Sequence, residues 1–189
     1  MDEKIIARNI KKFRLGKEFS LEQLARLTGL TKGYVSKIER SDKAPPFSTL
    51  IKIAQALEID ISVLLSDESD LPQDVRLCVV RKDEGKVGSA RAKRFAYSYK
   101  MLAHRKLGKN MEPYLIMPAF EEKAVFSHEG EEFMYVLEGT HEFIYDGKSY
   151  LLNEGDSIYF DSIVPHSGRS LGDKKAKVLA VVFSYKRKG

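Results

Sequence analysis

Residues 20–40 read SLEQLARLTGLTKGYVSKIER, and this stretch decides the fold of the first third of the chain. Ser20, with Gln23 three residues on, is a capping box that satisfies two backbone N–H groups at a helix start. Leu21, Leu24, Ala25 and Leu27 follow at helical spacing and are expected to point inward. Gly29 stops the helix, because without a Cβ the backbone enters the left-handed conformation of a tight turn. Thr31 caps a second helix, in which Val35 and Ile38 share the buried face. Ala25 is small where the two helices approach. Two short helices joined by a tight glycine turn have helix-turn-helix dimensions.

Working outward, Ile6, Ile10 and Phe13 mark one face of an earlier helix, and Leu15-Gly16-Lys17 breaks it. Pro45-Pro46 interrupts the chain, Ser48 is expected to open a fourth helix, and a short fifth is expected over Ser62 to Leu65. Residues 66–74 are polar and acidic with a proline, which predicts a linker. The expected organisation is a helical domain over 1–66, a linker over 67–74 and a β domain over 75–189. In the β domain, runs rich in Val, Ile, Tyr and Phe predict strands over 75–81, 94–104, 114–119, 124–127, 132–138, 141–146, 148–152, 157–160 and 176–185. Tyr145-Asp146-Gly147-Lys148 predicts a two-residue hairpin turn. Many short strands at this spacing predict an antiparallel sandwich or small barrel, so the fold class is α+β in two domains.

The 189 residues are 43% hydrophobic and 31% charged, a globular composition rather than a disordered one. The longest aliphatic run, Val178 to Phe183, is too short to span a bilayer. Met1-Asp2-Glu3-Lys4 carries two acids and no apolar run, so a cytoplasmic location without membrane partners is expected. The single cysteine, Cys78, excludes a disulfide framework and a cysteine-based zinc or iron–sulfur site within one chain. Of the net charge of +5, residues 1–65 carry +4, from 12 basic and 8 acidic side chains. The excess sits in the helical third, where it suits a polyanion partner.

Residues 30–40, LTKGYVSKIER, resemble the recognition segment of the lambda-repressor-like (XRE-type) family of bacterial regulators, and the likeness covers about residues 4–65. It implies double-stranded DNA as partner. Lys32, Ser36 and Lys37 fall at the positions that reach base edges in the major groove. Gly33 permits close backbone approach but leaves one readout position empty. Tyr34, Arg40, Lys43 and Lys17 suit phosphate contacts, which set register. The alternative for any single lysine is a solvated helix face. A module this small needs a second half-site for useful affinity, so a homodimer on a palindromic operator is expected.

Residues 126–139, FSHEGEEFMYVLEG, and 155–166, GDSIYFDSIVPH, resemble the two motifs of the cupins, over roughly residues 72–187. The likeness implies a double-stranded β-helix, or jelly-roll barrel. The first motif asks for His-x-His, three residues, Glu, six residues and Gly. His128, Glu132 and Gly139 hold the last three places, whereas Phe126 stands where the first histidine belongs. His166 is the histidine of the second motif, and Asp161 replaces its usual proline. His128, Glu132 and His166 are therefore the expected ligands of a divalent metal, with Fe, Mn, Ni or Zn all compatible with two imidazoles and one carboxylate. The other reading is that the two histidines hydrogen-bond within an apolar pocket that holds no metal. His104, beside Arg105-Lys106, is expected to be solvated, and His141 to lie at the surface or the pocket rim.

Phe126, Met134 and Val136 are expected to line a ligand pocket, with Tyr97 and Tyr99 at its mouth. Lys100, Arg105 and the tyrosine hydroxyls suggest an anionic effector. Phe133, Tyr135 and Leu137, on the other side of the same strand, are equally apolar. A strand with one wet face alternates, so a second subunit is expected to cover this side and make the homodimer through the cupin. Together these expectations describe a ligand-responsive transcriptional regulator. The same pairing of domains also resembles the mononuclear-iron hydroxypropylphosphonate epoxidase, whose two-histidine-one-glutamate set maps onto His128, Glu132 and His166 and whose aromatic strand maps onto Tyr97 and Tyr99. That family's N-terminal active-site lysine has Glu18 near its place, with Lys17 beside it, a departure that weighs against shared substrate chemistry. A third possibility is a cupin that only dimerises the DNA reader.

Overall fold

Ser20 and Gln23 close the reciprocal pair that their spacing predicts. Ser20 Oγ accepts from the Gln23 N–H at 3.1 Å, and Gln23 Oε1 accepts from the Ser20 N–H at 2.7 Å. The computed structural model describes residues 3–66, 76–84, 97–121 and 125–183. Among these described residues five helices come first: α1 (Glu3–Gly16), α2 (Leu21–Thr28), α3 (Lys32–Glu39), α4 (Phe47–Ala56) and α5 (Ile61–Leu64). Gly29 ends α2 at φ 67°, in the left-handed region that a side chain resists. Thr31 Oγ1 accepts from the Tyr34 N–H at 3.2 Å and starts α3. The fourth helix begins one residue earlier than Ser48, directly after Pro46, whose fixed φ suits a helix entrance and which provides no side-chain cap.

The helices pack through Ile6, Ile10, Leu24, Val35, Ile38, Leu50, Ile53 and Leu57, all buried, whereas Leu27, expected to point inward, is exposed on α2. Two polar clamps hold this core in register. Arg14, near the end of α1, donates to both carboxylate oxygens of Glu39 at the end of α3, at 2.6 and 2.9 Å, and to the Phe19 carbonyl at 2.7 Å. Both side chains are buried, and the hydrogen bond to Glu39 holds the guanidinium pKa above its ordinary value. Asn9 Nδ2 donates to the carbonyls of Val63, Leu64 and Ser66, closing the end of α5 onto α1.

Among the described residues, eight strands form a second unit. They are β1 (Tyr97–Met101), β2 (Met111–Pro118), β3 (Glu131–Glu138), β4 (Thr140–Tyr145), β5 (Lys148–Asn153), β6 (Ser157–Asp161), β7 (His166–Leu171) and β8 (Lys177–Phe183). One sheet has the order β1-β2-β8-β3-β6 and the other β5-β4-β7, every named pairing being antiparallel. Met134, Val136, Phe143, Phe160, Ala176, Val178 and Ala180 fill the interior. The two-residue turn between Tyr145 and Lys148 joins β4 to β5 as expected.

Several strand expectations are corrected. Residues 76–81 form no strand, and of the expected run 124–127 the described residues 125–127 contribute only the isolated bridge of Phe126 to His166. The second strand starts at Met111, and β7 arises from His-Ser-Gly-Arg-Ser-Leu, a run without β-branched residues. The expected linker over 67–74 lies outside the described residues. Arg14→Met leaves Glu39 buried without its cation, so urea unfolding of the helical unit should show a loss of about 3–5 kcal/mol, whereas the added change Glu39→Leu should recover much of it.

Candidate functional site

On α3 the burial of Val35 and Ile38 dictates what the opposite face presents. Lys32, Gly33, Lys37 and Arg40 are exposed, with Tyr34 and Ser36 half-buried among them, and Lys43 is exposed just beyond the helix. Arg40 Nε donates to the Ser36 carbonyl at 3.2 Å, so its guanidinium lies back along the helix. Lys32 stands 3.5 Å from Glu22, an exposed pair that competing phosphates can displace. Lys17 takes a different place from that expected: its ammonium lies 2.6 Å from Glu58, which neutralises it locally.

In the barrel, the alternation of β3 turns Glu132, Met134 and Val136 inward. Glu132 Oε1 lies 2.7 Å from His128 Nε2 and 3.6 Å from His166 Nε2, with all three side chains buried. One ligand atom from each residue falls within 4.8 Å of the others. His166 arrives from β7 because the turn after β6 brings the chain back, and Phe126 pairs with it backbone to backbone at 2.7 and 2.9 Å. His128 is seated by its own N–H, which donates to the Ser162 carbonyl at 2.9 Å. Phe126 stacks on the His166 ring at a centroid distance of 6.0 Å, and Phe160 meets that ring edge-on at 5.0 Å.

The donor set fits a cation. The Nδ1 of His166 lies 2.9 Å from the Val164 carbonyl, and that of His128 lies 3.4 Å from the Glu129 carbonyl. A carbonyl only accepts, so each Nδ1 is the protonated nitrogen and each Nε2 faces Glu132. In neutral imidazoles both Nε2 atoms then present lone pairs to the same carboxylate, and only protons or a metal ion relieve that. Burial opposes ionisation of Glu132, but hydrogen bonds and charge from His128 and His166 prevail and hold its pKa down to about 2. A carboxylate stays in this interior, and it requires positive charge beside it.

The other expected residues are distributed unevenly. Met134 and Val136 point inward and belong to the packed core. Tyr99 is buried, with its ring perpendicular to that of Tyr114 at 6.3 Å. The side chain of Tyr97 lies outside the described residues. Lys100 donates to the Lys82 carbonyl, and Arg105 falls outside the barrel unit. His104 is buried rather than solvated, on the loop after β1. His141 is buried too, because alternation places it on the same inward side of β4 as Phe143. Gly168 makes room for that ring: a Cβ there would stand 2.5 Å from His141 Cε1. Sequence reasoning missed Lys109 and Glu112, an ion pair at 3.3 Å with both side chains buried.

A cupin domain model matches residues 114–182, and a helix-turn-helix model matches residues 10–64. The HTH-type transcriptional regulator PuuR of Escherichia coli (strain K12) is 27% identical over 164 residues, covering 85% of this chain and 84% of the relative. The control protein C.SmaI of Serratia marcescens is 36% identical over 64 residues, 34% of this chain and 76% of the relative. Among solved structures, an HTH_3 family transcriptional regulator from Vibrio cholerae superposes with a TM-score of 0.75 at 24% identity, covering 98% of each chain. Fe(II) HppE superposes with a TM-score of 0.50 at 25% identity, covering 97% of this chain and 100% of that one. The chain belongs to the helix-turn-helix family of transcriptional regulators, with a cupin domain after the DNA-reading helices.

Desolvation lowers the pKa of His141 from 6.5 to about 4. The unfolded chain therefore binds a proton at this position that the folded chain refuses between those values, and stability falls as pH drops through that window. Denaturant titrations at pH 7 and pH 4 should show a His141-dependent loss on the order of 3 kcal/mol. His141→Leu should flatten that part of the profile.

Proposed function

We propose that this protein is a sequence-specific transcriptional regulator that reads a palindromic operator as a homodimer and carries its effector site in the cupin barrel. The observation behind this reading is the presence, in one chain, of an outward basic α3 and an inward cluster of His128, Glu132 and His166. Lys32, Ser36 and Lys37 read base edges; Tyr34, Arg40 and Lys43 hold phosphates; Gly33 lets the backbone approach. Two copies of α3 meet half-sites one helical turn, about 34 Å, apart.

His128, Glu132 and His166 would hold a divalent ion, Fe, Mn, Ni or Zn, with two imidazoles and one carboxylate as its donors. When bound, that ion supplies an electrophilic anchor for an oxygen of an anionic effector. Phe126 stands where a further imidazole would extend the donor set and keeps that side apolar, while Tyr99, buried on β1, would offer its hydroxyl to an effector. Effector binding alters DNA affinity only in so far as it favours one dimer arrangement over another. The second subunit covers the outer face of β3, where Phe133, Tyr135 and Leu137 remain 37–40% exposed and Tyr159 of β6 pairs across from Phe133.

The likeness to Fe(II) HppE, together with the cluster, favours a second reading as an iron-dependent cupin enzyme. Oxygen consumption by the iron-loaded protein across a panel of small organic acids, abolished in Glu132→Ala, would support that reading over the regulator.

Lys37→Ala should weaken operator binding about tenfold in gel-shift titrations, the cost of one base contact, and leave metal content unchanged. Glu132→Gln should lose the metal by elemental analysis and keep the DNA affinity of the metal-free protein. Phe133→Glu combined with Tyr135→Lys should convert a sedimenting dimer into a monomer. Equal DNA affinity for Lys37→Ala and the parent would remove α3 as the reader.

A further inference from the structure

Of the cations that α3 and the turn after it present, Lys32 has a carboxylate beside it. Its Nζ donates to Glu22 Oε2 across 3.5 Å, and among the described residues neither side chain meets another partner. Lys37, Arg40 and Lys43 are exposed, and among the described residues none of them meets a carboxylate. Glu22 lies in the first turn of α2 and Lys32 is the first residue of α3, so the pair links the starts of the reader's two helices. The two side chains are 78% and 63% exposed, and a pair this open contributes little to stability. It bears instead on what Lys32 can do when DNA arrives.

Docking of a helix-turn-helix places the first residues of the second helix at base edges, while the first helix crosses the sugar–phosphate backbone. Lys32 therefore comes to the bases, and Glu22 brings a negative charge to the phosphate side. An ammonium has three donors, so Lys32 can hold Glu22 and a guanine O6 or N7 together. A phosphate takes Lys32 only by displacing Glu22, and the released carboxylate then stands unpaired against the phosphate array. Like-charge juxtaposition of this kind makes a wrong contact unfavourable. Arg40 and Lys43, with no carboxylate beside them, carry no such restraint.

We infer that Glu22 is a positioning residue for DNA specificity: it withholds Lys32 from the phosphate backbone and reserves its ammonium for a guanine of each half-site. This inference rests on the reading of Lys32 as a base contact and deepens it, by naming the base and the side chain that enforces the choice.

The test uses the full-length protein and its Glu22→Gln, Lys32→Met and doubly substituted variants, in which exposed side chains are changed and the fold is spared. Each selects from a pool of randomised duplexes of about 30 base pairs, long enough for two half-sites one helical turn apart. Anisotropy titrations over a range of salt then compare the parent's consensus duplex with a scrambled one. The parent consensus should contain a guanine in each half-site that Lys32→Met no longer selects, with scrambled-duplex binding unchanged. Glu22→Gln should bind the scrambled duplex more tightly. Its plot of log Kobs against log salt should steepen by about 0.9 for each half-site occupied, the signature of one further phosphate contact. Its preference for the consensus should drop about tenfold. In the Lys32→Met background, Glu22→Gln should leave the salt slope where it was, since no ammonium is released. A slope that steepens equally in that background, or a consensus preference unchanged in Glu22→Gln, would overturn the inference and leave the regulator standing. A guanine preference that survives Lys32→Met would overturn it too, by removing Lys32 as a base contact. Failure of the parent to select any shared consensus would overturn the regulator reading and the inference with it.

Discussion

Three ionisable side chains, His128, Glu132 and His166, meet buried inside an apolar barrel, and the strands and turns around them are arranged to bring them together. Glu132 stays ionised because His128 and His166 address the same oxygen from two sides, at 2.7 and 3.6 Å. A carboxylate left in this interior without a partner would be among the most expensive states a protein interior can hold. The path of the chain follows from that need. The turn after β6 returns His166 to the cluster, the bridge to Phe126 fixes its backbone, and Phe143 and Phe160 close around its ring. A Phe at position 126 makes the surroundings drier and so makes a compensating cation more necessary, while it also withholds one imidazole from any metal.

The helical unit answers a different constraint: a short recognition helix is unstable by itself and must be held by its neighbours. Here α3 is capped by Thr31, anchored by Val35 and Ile38, and tied at its far end by Glu39 to Arg14. Those attachments use one side of an eight-residue helix. What remains outward is Lys32, Gly33, Ser36, Lys37 and Arg40, a basic and sterically open face. The rigid attachment matters to function, since a reader that samples many orientations gives up the register that phosphate contacts impose.

Much of this was legible in the sequence wherever the determinant is local. The capping box, Gly29 and the hairpin from Tyr145 to Lys148 are contiguous patterns with one low-energy solution, and the structure adopts each. His128, Glu132 and His166 were legible because their spacing survives in two contiguous motifs. The β7 strand was not, because its inward residues are His166, Gly168 and Ser170, whose types serve the cluster and the His141 ring rather than a hydrophobic alternation. The burial of His104, Lys109 and Glu112 was also hidden. Whether a loop charge meets solvent or a partner depends on tertiary register, and a neighbour three residues away reads equally well as a solvated pair.

The central claim is that the outward face of α3 reads a defined DNA sequence in a chain that also binds a small molecule. Its most direct test is selection of genomic DNA fragments by the purified full-length protein at near-physiological salt, with nonspecific competitor and with or without divalent metal. Salt is decisive here, because a chain of net charge +5 binds any duplex when ionic strength is low. A few shared, nearly palindromic sites with half-sites one helical turn apart should be recovered. Sequence-blind binding that disappears as salt is raised would contradict the claim.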